Sequence, residues 1–117
     1  MPTQTAFLDP ILGHQLIAII FVEDYVQLQF ISGTLNAYTL PKVFESEEVF
    51  TEADQGWRDK LCARIGQIVS GVMSTERELS MEFNDGAIIT ISLIEKDYRG
   101  PEAIQFTVEG SSTIVVS

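Results

Sequence analysis

The chain has little of what most catalytic centres are built from. It holds one cysteine, Cys62, and one histidine, His14. A single cysteine excludes an internal disulfide and a cysteine-based zinc cluster, and it agrees with a reducing compartment. No HExxH pair exists, and NDG at 84–86 lacks the acid ladder and closing glutamate of a calcium loop. His14, beside Gly13, reads as a surface or hydrogen-bonded residue. Cys62 lies at the margin of an apolar stripe, where a thiol behaves as a small buried hydrophobe. Neither GxxxxGK[ST] nor GxGxxG occurs, and no GxSxG elbow presents a serine. No metal and no cofactor is expected.

Positive charge is scarce as well. Against 17 Asp and Glu stand 7 Lys and Arg, a formal net of −10. Such a field repels phosphate, which disfavours a nucleic-acid binder and leaves basic partners or plain solubility as the natural readings. So many acids also remove any signal from carboxylate pairs, and the pair Asp97 and Glu102 reads as part of a solvated turn. Long apolar runs are missing too. LIAIIFV, at 16–22, stops at Glu23 and Asp24, well short of the ~20 residues that span a bilayer. The opening MPTQTAFLDPILG carries no export pattern. A cytoplasmic protein that binds no membrane is the expectation.

What the chain does have is alternation. VQLQF puts Val26, Leu28 and Phe30 on one face, and a turn at Glu23-Asp24 sets Phe21 against Val26, Ile19 against Leu28 and Ile17 against Phe30. A turn at Ser32-Gly33 then places Phe30 against Leu35 and Leu28 against Ala37, in a third strand over about 35–40 that ends near Pro41. LSMEF, NDG and the residues after it form a second hairpin. A three-residue loop with Gly86 left-handed opposes Phe83 to Ala87, Met81 to Ile89 and Leu79 to Ile91. Ile104, Phe106 and Val108 face inward on a later strand paired back to Leu93, and TIVV at 113–116 either adds an edge strand or lies against the domain.

Between the hairpins the period changes. Trp57, Leu61, Cys62, Ile65, Ile68, Val69 and Val72 fall on one helical stripe, which predicts an amphipathic helix ending near Gly71. Asp54 is its expected N-cap. The architecture read from this is one α+β domain over 1–117. It is βββ-α-βββ, with six or seven mostly antiparallel strands in one sheet and the helix packed on one face. Val26, Leu28, Phe30, Gly33, Leu35 and Leu40 match Leu79, Met81, Phe83, Gly86, Ile88 and Leu93 position for position. An internal duplication leaves such spacing, and so does hairpin physics alone.

Two stretches stand out as contact surfaces. ESEEVFTEAD, at 45–54, holds Glu45, Glu47, Glu48, Glu52 and Asp54 with no base, and reads as a solvated loop. DYRGPEA, at 97–103, reads as a turn. Turn chemistry does not require its Tyr98 and Arg99, residue types that interfaces use as anchors. The sheet face away from the helix is expected to carry Leu16, Ala18, Ile20, Val22, Tyr25, Ile31, Ile88 and Ile94. Its cover is either the N-terminal segment, with Phe7, Leu8, Ile11 and Leu12, or a second subunit.

One resemblance rests on Phe83, Asp85, Gly86, Ile89, Ile91, Ser92, Leu93, Asp97, Tyr98, Gly100, Pro101, Glu102 and Ala103. FxDGxxIxISL followed by DYxGPEA resembles a pattern in small uncharacterised bacterial proteins, some of them similar to immunity proteins of toxin–immunity systems. The resemblance implies a small cytosolic binding protein without catalytic residues and carries over no site. The expected function is non-enzymatic binding, immunity-like, through an acidic surface that meets a basic protein partner. Glu45, Glu47, Glu48, Glu52, Asp54, Tyr98 and Arg99 are its candidate residues. The alternatives are a small-molecule or enzymatic pocket between helix and sheet near Trp57, Tyr38 and Arg58, and a homodimeric scaffold without ligand.

Overall fold

The alternating stretches are strands, and they build two sheets rather than one. The computed structural model describes residues 6–23, 25–97, 103–108 and 113–116. A 3-10 segment, Ala6–Ile11, precedes β1 (Leu16–Val22), β2 (Tyr25–Phe30), β3 (Gly33–Ala37), β4 (Lys42–Glu45) and β5 (Glu48–Phe50). The helix α1 (Trp57–Cys62) then leads to β6 (Val69–Ser74), β7 (Glu78–Phe83), β8 (Ile88–Ser92), β9 (Ile104–Val108) and β10 (Thr113–Val116). Sheet I runs β1-β2-β3-β9-β10 and sheet II runs β5-β4-β8-β7-β6. All pairings are antiparallel.

The core lies between the sheets. Val26, Leu28, Phe30, Leu35, Ala37, Ile104 and Phe106 from sheet I meet Val43, Val69, Leu79, Met81, Phe83, Ile89 and Ile91 from sheet II, all buried. Each large side chain removed from water in this way contributes about 1.5–3 kcal/mol, so apolar faces on both sheets require each other. The mostly antiparallel α+β character expected from the sequence is present. The single sheet with a covering helix is not, because the apolar side bearing Leu28, Phe30, Met81 and Phe106 is covered by the opposite sheet.

The helix is correspondingly short. It stops at Cys62, and Gly66 at φ +91° turns the chain into β6. The helical spacing of Val69 and Val72 has another cause. A β-bulge between Val69 and Gly71 makes Val69 oppose Phe83 and Val72 oppose Met81, so two residues three apart share one face of a strand. Cys62 is exposed rather than buried. Asp54 is not the N-cap, since Gly56 holds that place with no side-chain bond. Asp54 instead accepts from the Thr51 backbone N–H at 2.7 Å. Trp57 and Leu61 are the buried residues of α1. Trp57 donates from Nε1 to the Pro41 carbonyl at 2.8 Å and meets Phe21 edge-on, with ring centroids 5.7 Å apart.

Three strand pairings also differ from expectation. Leu16, not Ile17, opposes Phe30, because β1 carries its own bulge between Leu16 and Ala18. In β3, Phe30 meets Gly33, Leu28 meets Leu35 and Val26 meets Ala37, because the connecting loop is only Ile31-Ser32. Gly33 is needed there, since a Cβ would lie 2.6 Å from the Thr107 carbonyl oxygen. Finally, β9 does not return beside β8. That place belongs to β4, which pairs Val43 with Ile89 and Phe44 with Ile88. β9 crosses to sheet I, where Phe106 opposes Leu35. The Phe83-to-Ala87 loop with Gly86 left-handed, the Met81–Ile89 and Leu79–Ile91 pairs, and the strand at 113–116 are as expected.

The two halves of the chain are therefore interleaved. Each opens with a short helical segment and a three-strand meander, then sends a hairpin into the sheet of the other half. The seam between them is reciprocal. Gly13 N–H donates to the Val69 carbonyl at 2.8 Å while Gly66 N–H donates to that of Leu16 at 2.7 Å. Val69 N–H donates to His14 at 3.0 Å while Leu16 N–H donates to Gln67 at 3.0 Å. Both bulges fall at matching places in β1 and β6. Hairpin chemistry does not require a matched seam and matched bulges. The repeat spacing is kept from β2 to β7 but not beyond, since Leu35 faces inward opposite Leu28 while Ile88 faces outward opposite Glu82, and Gly33 lies in β3 while Gly86 lies in the turn. The Cα radius of gyration is 13.0 Å, the compactness of one domain of about this length.

Candidate docking face for a protein partner

The segment at 45–54 is mostly a hairpin rather than a loop. VFE-SE-EVF, at 43–50, is symmetric in residue class, with an apolar pair and a glutamate on each side of Ser46-Glu47. β4 and β5 pair Val43 with Phe50, Phe44 with Val49 and Glu45 with Glu48. Ser46 and Glu47 form the two-residue turn at φ +52° and +66°, the hand that suits the twist of the strands. Alternation then splits the apolar residues. Val43 enters the core, with Phe50 half-buried against it, while Phe44 and Val49 stand exposed on the outer side of sheet II, 41% and 48% accessible.

Cross-strand register extends this pair into a strip. Ile88 lies beside Phe44, Glu82 beside Ile88, and Gly71 beside Glu82. Met73, 61% accessible, borders it on the edge strand β6. Having no side chain, Gly71 leaves a shallow depression of about 190 Å³ there, lined also by Met73, Ser80, Glu82 and Ile88. Glu47 closes the hairpin end of the strip and is exposed, whereas Glu48, the cross-strand partner of Glu45, lies on the opposite side of the sheet from Phe44 and Val49. An apolar centre with a charged rim results, which is the anatomy of a protein interface. The rim holds Glu47 and Glu82 together with Lys42, two residues from Phe44 on the same side.

Glu45 faces the other way. Its carboxylate accepts from Lys60 Nζ at 2.5 Å and from Arg64 Nη2 at 2.6 Å. Arg64 is 3% exposed, and its Nη1 lies 2.9 Å from Asp85 in the β7–β8 turn, near enough to attract but out of line for a hydrogen bond. The Lys60 hydrogen bond, joined by Arg64, holds the Glu45 carboxyl below the usual glutamate value, against partial desolvation that would raise it. Glu45 thus belongs to a clasp between β4, the end of α1 and the turn, and is not a contact residue.

Of the other candidates, Glu52 is exposed beside the cleft near Trp57, and Asp54 is exposed and bound to Thr51. Tyr98 and Arg99 lie outside the described residues, as do Gly100, Pro101 and Glu102 of the same loop. That cleft, lined by Phe21, Val22, Glu23, Val26, Leu40, Glu52, Trp57 and Arg58, encloses about 220 Å³. This is below the ~300 Å³ at which small-molecule pockets usually begin. Tyr38 does not line it, and the Arg58 guanidinium is engaged over the Phe21 ring at 4.6 Å. Among the described residues, no group of three His, Cys, Asp or Glu side chains is placed to hold a metal ion, and no helix is long and apolar enough to cross a membrane.

The sequence reading missed Phe44 and Val49. The symmetric VFE-SE-EVF was the available signal, because a two-residue loop between symmetrically placed apolar dipeptides must put one residue of each dipeptide outside. Comparison with protein-family models, curated proteins and solved structures finds no match.

Proposed function

We propose that the chain is a non-enzymatic binding module that docks a basic protein partner on the outer side of sheet II. The observation that carries this is the strip of exposed Phe44 and Val49 beside half-buried Ile88, bordered by Glu47 and Glu82. Apolar side chains held out on a sheet supply contact area. The acids around them select a partner of opposite charge and speed its approach, an effect the net charge of −10 amplifies. The narrower form, in which the partner is a toxin neutralised in an immunity-like manner, draws on the resemblance of the Phe83–Ala103 pattern. A cytoplasmic setting goes with that form.

The test is a photo-crosslinking amino acid at position 44, with position 76 as an exposed control, in cells of the source. The expected product is an adduct of 44 with a basic protein, lost when Glu47 and Glu82 become lysine. Phe44→Ala is expected to weaken the isolated complex by about 30-fold or more, the signature of a central anchor. Equal labelling from 44 and 76 would defeat the reading.

A further inference from the structure

The outer side of sheet I is built differently. Register gives three rows: Val22, Tyr25 and Tyr38; Ile20, Gln27, Asn36 and Gln105; Ala18, Gln29, Thr34 and Thr107. None of these described residues carries a charge. The interleaved halves show that the fold does not demand this. The places that Tyr25 and Gln29 hold on β2 are held on β7 by Glu78 and Glu82, and the place of Gln105 on β9 is held on β4 by Lys42. Sheet II tolerates charge where sheet I has none.

The amides are also held in place. Gln29 donates to Gln27 at 2.7 Å, Gln27 to Asn36 at 3.0 Å and Asn36 to Gln105 at 3.3 Å, and the Tyr38 hydroxyl donates to Gln105 at 2.9 Å. Tyr25 packs on Tyr38 with ring centroids 5.1 Å apart. Side chains already bonded to one another lose little freedom and leave few polar groups unpaired when water is removed. Beside them, Ile20 and Val22 on the edge strand are 43% and 40% accessible. Of the N-terminal residues whose side chains are described, none covers them. Ile11 enters the core instead, and Ser32 is bonded to the Pro10 carbonyl at the end of the sandwich.

We infer that this face is the interface of a homodimer, its occupant the same face of a second copy. Charge decides the occupant. A basic partner would be met by acids, as on sheet II, whereas two copies of a chain with net charge −10 can approach closely only through a surface without acids. An isologous contact places one such face on another. The inference does not depend on what sheet II binds.

Sedimentation equilibrium tests it, from about 1 to about 200 µM chain, a range that brackets weak to moderate dimers. Three proteins are compared: the native chain, Gln27→Glu with Gln29→Glu, and Gln27→Lys with Gln29→Lys. The native chain is expected to dimerise with concentration. Each variant alone should be weakened by more than about 30-fold through like-charge repulsion, and an equimolar mixture should recover a heterodimer. Recovery also shows that both variants are folded. A native chain that stays monomeric overturns the inference, as does a dimer that both variants form as readily as the native chain.

Discussion

Arg64 carries more of the local structure than any other charged residue described. It is 3% exposed, and its guanidinium joins Glu45 on β4 to Asp85 in the β7–β8 turn. Removing one member of a fully enclosed ion pair costs about 3–5 kcal/mol, because the charge left behind is stranded. Here the carboxylate side chains are 26% and 32% exposed and can rehydrate. Arg64→Ala is therefore expected to cost roughly 2 kcal/mol, read from the urea midpoint at constant slope. Glu45 adds a dependence on pH. Its carboxyl titrates lower in the folded chain than in the unfolded one. The stabilisation it gives is thus fully present above the ordinary glutamate value and is lost as pH falls through the lowered one. Glu45→Gln is expected to flatten the acid limb of the stability profile below about pH 4. Parallel acid limbs for the two proteins would count against the clasp.

At the scale of elements, the β4–β5 turn holds two side chains at positive φ, Ser46 and Glu47. A turn of this hand favours Asn-Gly, and L residues in the left-handed region cost about 1 kcal/mol or more each. Glycine gives part of that back through the unfolded chain. Ser46→Asn with Glu47→Gly is expected to stabilise by about 1 kcal/mol, a rise in Tm of a few degrees by calorimetry, while weakening partner binding through the lost acid. The same elements show what the sequence made legible. Alternation placed Val26, Leu28, Phe30, Met81, Phe83 and Phe106 inside, and Asp85-Gly86 fixed its hairpin, because both signals are local. The bulge at Val69–Gly71 defeated the period argument by giving a strand an i, i+3 face. Of the candidate contacts, Glu47 lies at the edge of the proposed face, while Glu48 lies on the other side with its cross-strand partner Glu45. Glu45 was misread because its partners Lys60 and Arg64 are 15 and 19 residues away along the chain.

For the whole molecule, the decisive feature is that each half completes the sheet of the other. Local pattern could not reveal it, because Leu93 and Ile104 satisfy a simple hairpin as well as they satisfy a crossover. The exchange has a consequence for folding. Cutting the chain between Thr51 and Gly56 is expected to give two fragments that are unfolded alone, since each lacks the hairpin that closes its sheet, and that regain native circular dichroism when mixed. The exchange also gives the two outer faces their separate compositions. Phe44 and Val49 reach sheet II from the first half, and Gln105 and Thr107 reach sheet I from the second.

Cross-strand nuclear Overhauser effects test that exchange most directly. The account predicts backbone contacts from Leu35 to Phe106 and from Val43 to Ile89, with none joining Leu93 to Ile104. Contacts between Leu93 and Ile104 would restore a simple meander, leave β4 without its place beside β8, and remove the face on which Phe44 meets Ile88.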